Sequence, residues 1–424
     1  MPTILKERLA PPAQPGRTPE NVESTVAEII AAVRERGADA VREYSASLDS
    51  WEPESFRVSA EQLEEVLAAV PQQVLDDIRF SQAQIRQFAE AQRRSLTDFE
   101  IETRPGVLLG QRNIPVGSVG SYVPGGRYPM VASASMSNVT AGVAGVERVV
   151  SVTPPLNGEP PAATLAAMHL AGASEIYVLG GVQAIAALAL GTEEIDRVAM
   201  IVGPGNAYVA EAKRQLFGEI GIDLLAGPTE VLVVADADAD PETVAADLLG
   251  QAEHGPTTPA VLISTSTELA ENVLGEIERQ LEDLSTAEVA GSAWRQHGEV
   301  RVVETLEQAV AEADALAYEH VEIHTREPRF FLERMRNYGA LFLGEGTTVA
   351  YGDKTIGTNH VLPTAGAARY TGGLWVGKFL KTVTYQECTP EASVAIGEVC
   401  ARQCRVENFE AHARSCDVRV RRFA

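Results

Sequence analysis

Apolar residues follow two different periods along this chain. Up to about residue 95 they recur every three to four positions, as at Val22, Val26, Ile29 and Val33, which predicts helices. From residue 99 the period changes to two, and further on short apolar strands alternate with helical segments. This alternation predicts parallel sheets with helices on their faces. The strands predicted in this part are 148–152, 175–179, 198–202, 231–235, 261–264, 300–303 and 340–343.

The alternating series occurs twice, before and after about residue 230, so the predicted fold class is α/β with two similar parallel-sheet domains. The tail is predicted as a helix, 390–402, and a strand, 418–423, that needs a sheet partner. Cys400 and Cys404 lie four residues apart on that helix. They form either a second metal site or, as is common for buried cysteine, small apolar contacts.

The segment 226–259 combines a buried strand, a capped helix and an abrupt helix stop. An Asp-Pro pair starts the helix and a Gly-Pro pair ends it. Just before the stop, Gln251 and His254 are three residues apart, which predicts one helix face shared with Asp247. Polar groups aimed in one direction beside a helix break indicate a site. The alternative is that His254 interacts with the last helix carbonyls.

Glycine-rich turns follow several of the predicted strands. Residues 117–126 are predicted to form a loop, and further turns lie at 180–181 and 203–206. Ligands of parallel sheets bind at the carboxyl ends of strands, where helix N-termini offer free N–H groups. These turns therefore suit an anion or a dinucleotide. A tight structural turn is the alternative, because the dinucleotide fingerprint lacks its third glycine.

Several ionisable residues could gather into one site although they lie far apart in the chain. Imidazole, carboxylate and carboxamide groups suit zinc or a similar divalent ion, and a Glu-His pair suits acid/base chemistry. The alternative is that each residue lies on a solvated loop. These residues are His254, Glu319, His320, Asp353, His360, Glu407 and His412.

Composition narrows the class of protein. The 424 residues are 45% hydrophobic and 22% charged, enough for large cores in two to four domains. A net charge of -24 argues against nucleic acid as a partner. All four cysteines follow residue 387, which predicts a reduced, cytoplasmic protein without a disulfide framework. We expect neither a signal peptide nor a membrane span, because no apolar run is suitable.

The run from Ile222 to His254 resembles the signature of histidinol dehydrogenases. Gly250 departs from it, since the family usually has Ser or Ala there. The resemblance covers nearly the whole chain after residue 20. The other matching segments are YVPGG at 122–126, GGVQAIAALA at 180–189, GPGNAYVAEAKRQ at 203–215, EH at 319–320, GTNHVLPT at 357–364 and AH at 411–412.

This resemblance implies a dehydrogenase that uses NAD and one Zn2+ per subunit. Such enzymes oxidise a primary alcohol to the carboxylate through an aldehyde, passing two hydrides to two NAD molecules in turn. His320 is expected to accept the alcohol proton, and Glu319 to activate the water that attacks the aldehyde. The matching positions are Gln251, His254, Asp353 and His412 for zinc; Glu319 and His320 for catalysis; Tyr122, Gln183 and Asn206 for NAD; and Thr229, Gln251, His254, His320, Asp353, Glu407 and His412 for substrate.

The resemblance also implies an intertwined homodimer of two Rossmann-like domains with small terminal extensions. The expected division is an N-terminal arm, 1–18; a discontinuous catalytic domain, 19–121 with 231–372; an NAD-binding domain, 122–230; and an exchanged extension, 373–424. In the family, the last extension gives its His to the metal site of the other subunit. His412 is the matching residue here.

Some segments near the expected substrate depart from typical members. RYPMVASASM follows YVPGG in place of a Tyr-Pro-Ser-Ser segment, and Tyr318 stands where Pro is usual. Trp375 and Lys378 stand where Ser and a non-basic residue are more frequent. These departures resemble the sulfopropanediol dehydrogenase branch, which oxidises 2,3-dihydroxypropane-1-sulfonate to sulfolactate.

The charges near the substrate segments leave the substrate open. Lys378, Arg127 and Arg369 would suit an anionic sulfonate, which favours sulfopropanediol. Glu407 would suit an amine, which keeps the oxidation of L-histidinol to L-histidine as the alternative. A third interpretation treats the departures as packing changes only. A non-catalytic metal-binding assembly protein is a fourth, although the Glu-His pair at 319–320 speaks against it.

Overall fold

The computed structural model describes residues 2–10, 20–125, 129–225 and 227–424. Arg127 and residues 11–18 of the predicted N-terminal arm therefore lie outside the described residues. Strands form a six-stranded, a five-stranded and a three-stranded sheet. The larger two are parallel apart from one edge strand, which confirms the predicted α/β class. No helix of the described ranges is long and apolar enough to cross a membrane.

The strands are β1 (Thr3–Lys6), β2 (Phe99–Arg104), β3 (Val107–Pro115), β4 (Ser118–Tyr122), β5 (Arg148–Thr153), β6 (Glu175–Val178), β7 (Met200–Val202), β8 (Gly221–Ile222), β9 (Val231–Ala235), β10 (Ala260–Ser264), β11 (Gly298–Val302), β12 (His320–His324), β13 (Ala340–Leu343) and β14 (Leu380–Cys388).

The helices are α1 (Glu20–Arg36), α2 (Ala38–Asp49), α3 (Ala60–Ala69), α4 (Gln72–Arg94), α5 (Val131–Ala144), α6 (Ala162–Leu170), α7 (Gly181–Leu190), α8 (Ala207–Leu216), α9 (Pro241–Ala252), α10 (Thr267–Asp283), α11 (Ala287–His297), α12 (Leu306–Leu316), α13 (Pro328–Arg334), α14 (Val349–Lys354), α15 (Pro390–Val406) and α16 (Glu410–Phe423). Short 3-10 helices lie at Ala367–Arg369 and Val376–Phe379.

The six-stranded sheet has the order β1-β11-β10-β9-β12-β13, with only β1 antiparallel to its neighbour. Every residue of β9, β10 and β12 is buried. Strands covered on both faces need apolar side chains on both, as in VLVVA and AVLIS. β12 differs because His320, Glu322 and His324 alternate along it and so share one face.

The five-stranded sheet has the order β6-β5-β4-β7-β8, and all its neighbouring strands are parallel. The prediction of a loop over 117–126 is wrong for its first half, because Ser118–Tyr122 forms the central strand β4. Close packing of a helix explains why a glycine, Gly120, lies within this strand. A Cβ on Gly120 would lie 2.9 Å from a methyl carbon of Leu188 on α7, so the glycine lets the helix approach the sheet closely.

The N-terminal helices pack on helices that cover the five-stranded sheet: α1 on α7, α3 on α6 and α4 on α5. The apolar stripe of α1, including Val26 and Ile29, joins one buried cluster with Ile185 and Leu188 of α7. Because α7 is buried along most of its length, it needs apolar partners on the side away from the sheet, and α1 supplies them. α5 was not predicted at all. Its segment is rich in serine and alanine and is buried nearly all round, so it has no amphipathic period.

The C-terminal extension is built differently from the prediction. β14 pairs with β3, and β3 with β2, in the three-stranded sheet. The predicted strand at 418–423 is wrong, because these residues belong to α16, which packs along α15. Val-Arg-Val-Arg fits a period of two for only a few residues, too short a pattern to exclude a helix. Val406 and Phe409 are exposed here, as are Val418 and Phe423.

Candidate active site

The candidate site lies beside the segment of chain that connects the five-stranded sheet to the six-stranded sheet. β8 ends at the carboxyl edge of the five-stranded sheet, and β9 begins at the amino edge of the six-stranded sheet. Only residues 223–230 join them. The rule that ligands bind at carboxyl ends of strands points to the first edge. Glu319 and His320 lie at the second edge, at the start of β12, where that rule gives no signal.

Glu319 and His320 form a buried pair, with 6% and 2% of their surface exposed. One carboxylate oxygen of Glu319, Oε2, lies 3.4 Å from Nδ1 of His320. The same oxygen accepts hydrogen bonds from the Thr229 hydroxyl at 2.7 Å and from the Glu230 backbone N–H at 3.3 Å. Nδ1 of His320 donates to the Glu230 carbonyl oxygen at 3.1 Å. The other ring nitrogen, Nε2, makes no hydrogen bond with the described residues and lies 3.6 Å from Oδ1 of Asp353.

Gln251 reaches this pair from the last turn of α9. Its amide nitrogen donates to the Thr229 hydroxyl oxygen at 2.5 Å and lies 3.5 Å from Nδ1 of His320. This orientation leaves the amide oxygen of Gln251 without a hydrogen-bond partner among the described residues. α9 ends at Ala252, so His254 lies in the turn that follows rather than on the helix as predicted.

Asp353 comes from the short helix α14. Its backbone oxygen accepts a hydrogen bond from Nδ1 of His360 at 2.8 Å. Nε2 of His360 is 3.0 Å from the Ser133 hydroxyl of α5. Asn359 donates to the Met136 carbonyl oxygen at 3.1 Å. The segment that carries Asp353 is therefore held against α5, a helix that packs on the five-stranded sheet.

Burial and charge set the pKa values of the site in opposite directions. Burial raises the pKa of Glu319 to about 7, although His320 and Thr229 act against it. Burial alone would lower the pKa of His320, but Glu319 and Asp353 overcome it and raise that pKa to about 9. For Asp353, burial raises the pKa, yet His320 and His360 hold it well below its usual range. Such divergent values are typical of catalytic sites.

Three of the four predicted zinc positions lie around this pair. Gln251 offers a free amide oxygen, and Asp353 offers a carboxylate that stays ionised. His254 lies at the rim, where its ring reaches solvent. Surrounding protein atoms lower its pKa and favour the neutral imidazole that binds metals, and Asp353 and His320 are close enough to affect that pKa. This set of oxygen and nitrogen donors fits a zinc ion.

The fourth predicted zinc ligand, His412, and the predicted substrate contact Glu407 are not brought to the pair within one chain. Both are exposed, and the described residues give neither of them a contact with Gln251, His254 or Asp353. The ring of His412 instead lies 5.4 Å from that of Phe409. A site built from all the predicted residues would thus need α15 and α16 of a second copy.

The predicted NAD positions lie at the carboxyl edge of the five-stranded sheet. Tyr122 ends β4, and its hydroxyl accepts a bond from the Gly181 N–H at 3.3 Å. Gln183 is fully buried and donates to Asp49 at 2.9 Å, and its amide oxygen has no hydrogen-bond partner among the described residues. Asn206 caps α8 by accepting bonds from the next turn. The order of this sheet changes direction at β4, and dinucleotides bind at such switch points.

Sequence reasoning missed a second polar layer directly below the pair. Asp247 lies one turn before Gln251 on the same face of α9, as predicted; it accepts a hydrogen bond from Thr348 and lies 3.3 Å from Nε2 of His324. Glu322 is fully buried between the two histidines of β12. The alternation of HVEIH was the available signal, because three polar residues on one face of a buried strand need partners.

Glu230 was also not identified from the sequence as part of the site. It is 5% exposed, and its carboxylate accepts a hydrogen bond from the Glu319 backbone N–H at 3.2 Å. Its carbonyl oxygen fixes the ring of His320. Glu230 thus orients both members of the pair through their polar atoms, although nothing in its spacing sets it apart from other glutamates.

Comparison with known proteins identifies relatives along the whole chain. The family model described as histidinol dehydrogenase matches residues 13–420. A histidinol dehydrogenase homolog of Shouchella clausii (strain KSM-K16) is 63% identical over 402 residues, 95% of each chain. A crystal structure of histidinol dehydrogenase from Elizabethkingia anophelis is 32% identical, has a TM-score of 0.91, and covers 96% of this chain and 94% of that one.

Two relatives with different named substrates are equally similar. The sulfopropanediol 3-dehydrogenase of Ruegeria pomeroyi (strain ATCC 700808 / DSM 15171 / DSS-3) is 44% identical, covering 95% of this chain and 93% of the other. The histidinol dehydrogenase of Geobacillus kaustophilus (strain HTA426) is 43% identical, covering 95% and 94%. Overall identity therefore does not discriminate between the two substrates.

Glu230→Gln should remove a pH-dependent loss of stability. Burial, followed by the charge of Glu319, raises the pKa of Glu230 from 4.5 to about 8. The stability that this group contributes is complete below its unfolded pKa and is lost as pH rises through the folded pKa. Because glutamine stays neutral, parent and variant should unfold at similar urea concentrations at acidic pH, and the variant should be the more stable above pH 8.

Glu102→Gln is the matched control, since it changes an exposed carboxylate that also accepts a backbone hydrogen bond, from Gly106. Its effect on the free energy of unfolding should be the same at both pH values. An equally pH-independent effect of Glu230→Gln would contradict the buried, raised-pKa assignment.

Proposed function

This chain belongs to the histidinol dehydrogenase family of oxidoreductases, which convert an alcohol to an acid through an aldehyde with NAD, and we propose that Glu319 and His320 form its reaction centre. The observation that carries this proposal is the buried pair itself. Nε2 of His320 makes no hydrogen bond with the described residues, and it lies 3.6 Å from Oδ1 of Asp353, a carboxylate suited to hold a divalent ion.

His320 is proposed to accept the proton of the alcohol. The hydrogen bond from Nδ1 to the Glu230 carbonyl oxygen fixes the tautomer and leaves the lone pair of neutral Nε2 available. The charges of Glu319 and Asp353 raise the pKa of His320 to about 9, which favours the doubly protonated ring at neutral pH. Offsetting the charge of Asp353 would therefore favour the neutral ring that can accept a proton.

A zinc ion is proposed to be held by Gln251, His254 and Asp353, with His412 from a second subunit. When bound, such an ion makes the substrate hydroxyl more acidic and offsets the charge of Asp353 that favours protonated His320. Thr229 connects the two parts of the site, because its hydroxyl accepts a bond from Gln251 and donates one to Glu319.

Glu319 is proposed to deprotonate the water that attacks the aldehyde. Its pKa of about 7 is well placed for a general base near neutral pH. The Thr229 hydroxyl and the Glu230 N–H hold one carboxylate oxygen, so the other oxygen is the one available to water. The adjacent His320 then accepts or returns protons without movement of the backbone.

NAD is proposed to bind at the carboxyl edge of the five-stranded sheet, near Tyr122, Gln183 and Asn206. Gly203 supports close approach of the backbone there. Its φ is +117°, and a Cβ would lie 2.0 Å from the Tyr122 carbonyl oxygen. Gln183 has an unpartnered buried oxygen, which suits a hydrogen-bond donor of the cofactor.

The proposed substrate is 2,3-dihydroxypropane-1-sulfonate. Of the basic residues that suggested an anion, Lys378 gives the best support, because the half-buried side chain makes no ion pair with the described residues. Arg369 gives less, since its guanidinium donates to the backbone oxygens of Ala315 and Gly366. L-histidinol is the alternative substrate, which the exposed carboxylate of Glu407 favours if it meets a second subunit's site.

Steady-state NADH formation with the two alcohols, side by side, tests the substrate. We expect kcat/KM to be at least tenfold higher for the sulfonate, about 1.4 kcal/mol of transition-state discrimination. Lys378→Gln should lower kcat/KM for the sulfonate and leave the slower L-histidinol reaction unchanged. A preference for L-histidinol that Lys378→Gln does not alter would overturn the sulfonate assignment.

Separate rates for the two oxidations test the roles of the pair. His320→Ala should slow alcohol oxidation by roughly 10²- to 10⁴-fold, the usual range for loss of a general base. Glu319→Gln should spare alcohol oxidation more and block oxidation of supplied aldehyde. Glu102→Gln is the control, because it changes an exposed carboxylate of β2 outside the site, and it should retain aldehyde oxidation. Parent-like aldehyde turnover by Glu319→Gln would contradict the assigned role.

Mixed subunits test whether His412 acts across a dimer. His412→Ala and the double variant Gln251→Ala with His254→Ala should each be inactive alone. A heterodimer would contain one site damaged twice and one intact site, so co-expression should restore up to about half the parent activity per dimer. An inactive purified heterodimer, or a fully active parent monomer, would rule out a shared site.

A further inference from the structure

Three cysteines of the C-terminal helices converge on one point. Cys400 and Cys404 lie one turn apart on α15, and Cys416 approaches them from α16. Their sulfur atoms all lie within 4.8 Å of one another, and each residue is partly buried. The site proposed above uses none of them.

Close packing of the two helices produces this convergence. A Cβ on Gly397 would lie 2.8 Å from a methyl carbon of Val420 and 3.5 Å from the Cys416 backbone oxygen. Ala401 and Ala413 are the other buried small residues of the two helices near this contact. Because small residues let the backbones approach, Cys416 is brought within reach of both sulfurs on α15.

The spacing of the sulfurs suits a soft metal ion. Sγ of Cys400 lies 3.9 Å from Sγ of Cys404, too far for a disulfide bond. Two sulfurs bound at about 2.3 Å in a tetrahedron lie roughly 3.8 Å apart. Three thiolates select zinc or copper(I) over the hard ions that oxygen ligands prefer, and water can complete a tetrahedron.

We propose that Cys400, Cys404 and Cys416 form a metal-binding site, for zinc or a similar thiophilic ion, that is separate from the reaction centre and ties α15 to α16. Hydrogen bonding to Cys400 raises the pKa of Cys416 to about 11, and burial raises that of Cys404. The thiols of Cys404 and Cys416 therefore keep their protons until a metal ion displaces them. A bound ion would stabilise the extension that carries His412.

Cobalt spectroscopy separates this site from the other one. The reaction centre offers only nitrogen and oxygen ligands, so sulfur-to-cobalt charge-transfer absorption in the near ultraviolet would report the cysteines alone. Reduced, metal-free full-length protein is titrated with Co2+. The parent should develop this band and saturate it at about one ion per subunit. Cys388→Ser, which changes the exposed cysteine outside the cluster, should behave like the parent.

Cys416→Ser and Cys400→Ser should each lose most of the band while retaining parent-like circular dichroism. As a measurement on the unmodified protein, Zn2+ should protect three of its four thiols from a thiol reagent and leave Cys388 reactive. Absence of the band in the parent, an equal band in Cys416→Ser, or thiols that zinc does not protect would overturn the proposal and leave a cluster of hydrogen-bonded thiols. None of these outcomes depends on dehydrogenase activity.

Discussion

The buried contact between Glu319 and His320 constrains the rest of the site. A carboxylate removed from water loses its hydration, and an isolated buried charge is not tolerated. Thr229, the Glu230 N–H and His320 replace that hydration on one oxygen of Glu319. Each of these groups is itself held in place, Thr229 by Gln251 and His320 by the Glu230 carbonyl oxygen. The pair is therefore oriented before any ligand arrives, which lowers the reorganisation that a reaction needs.

The two large sheets have different proposed roles. In the six-stranded sheet, β9, β10 and β13 are nearly all apolar, whereas one face of β12 carries His320, Glu322 and His324, where we propose the acid/base chemistry. The five-stranded sheet has glycine-rich strand ends, where we propose that NAD binds. Contacts of Asn359 and His360 with α5 hold the segment of Asp353 between them. The proposed site lies between the two sheets because neither sheet contains all of the proposed catalytic and cofactor-binding residues.

Hydrophobic periodicity predicted the elements with strong apolar patterns. Buried strands such as β9 and β13 were predicted within a residue or two, and the apolar period of Val22 to Val33 predicted the helix α1. Elements built from small residues were not predicted. The apolar period of β4 is interrupted by glycine, and that of α5 by serine and alanine. The error at α16 arose because a short alternation also fits a helix that packs through its small residues.

The candidate site was predictable only in part. The proximity of Glu319 and His320 follows from their adjacency, and the identity of their partners came from the family resemblance. No spacing in the sequence shows that Glu230 orients both residues or that Asp247 turns toward His324, because these contacts depend on the register of β9 and β12 and on the rotation of α9. The pKa values depend on the same three-dimensional contacts.

The amount of NADH formed per molecule of alcohol consumed tests the central claim most directly. With limiting alcohol and excess NAD, a centre that carries out both oxidations should yield two NADH per alcohol and no free aldehyde, since one pair of residues serves both steps before release. A yield of one NADH per alcohol, with accumulation of the aldehyde, would contradict the account.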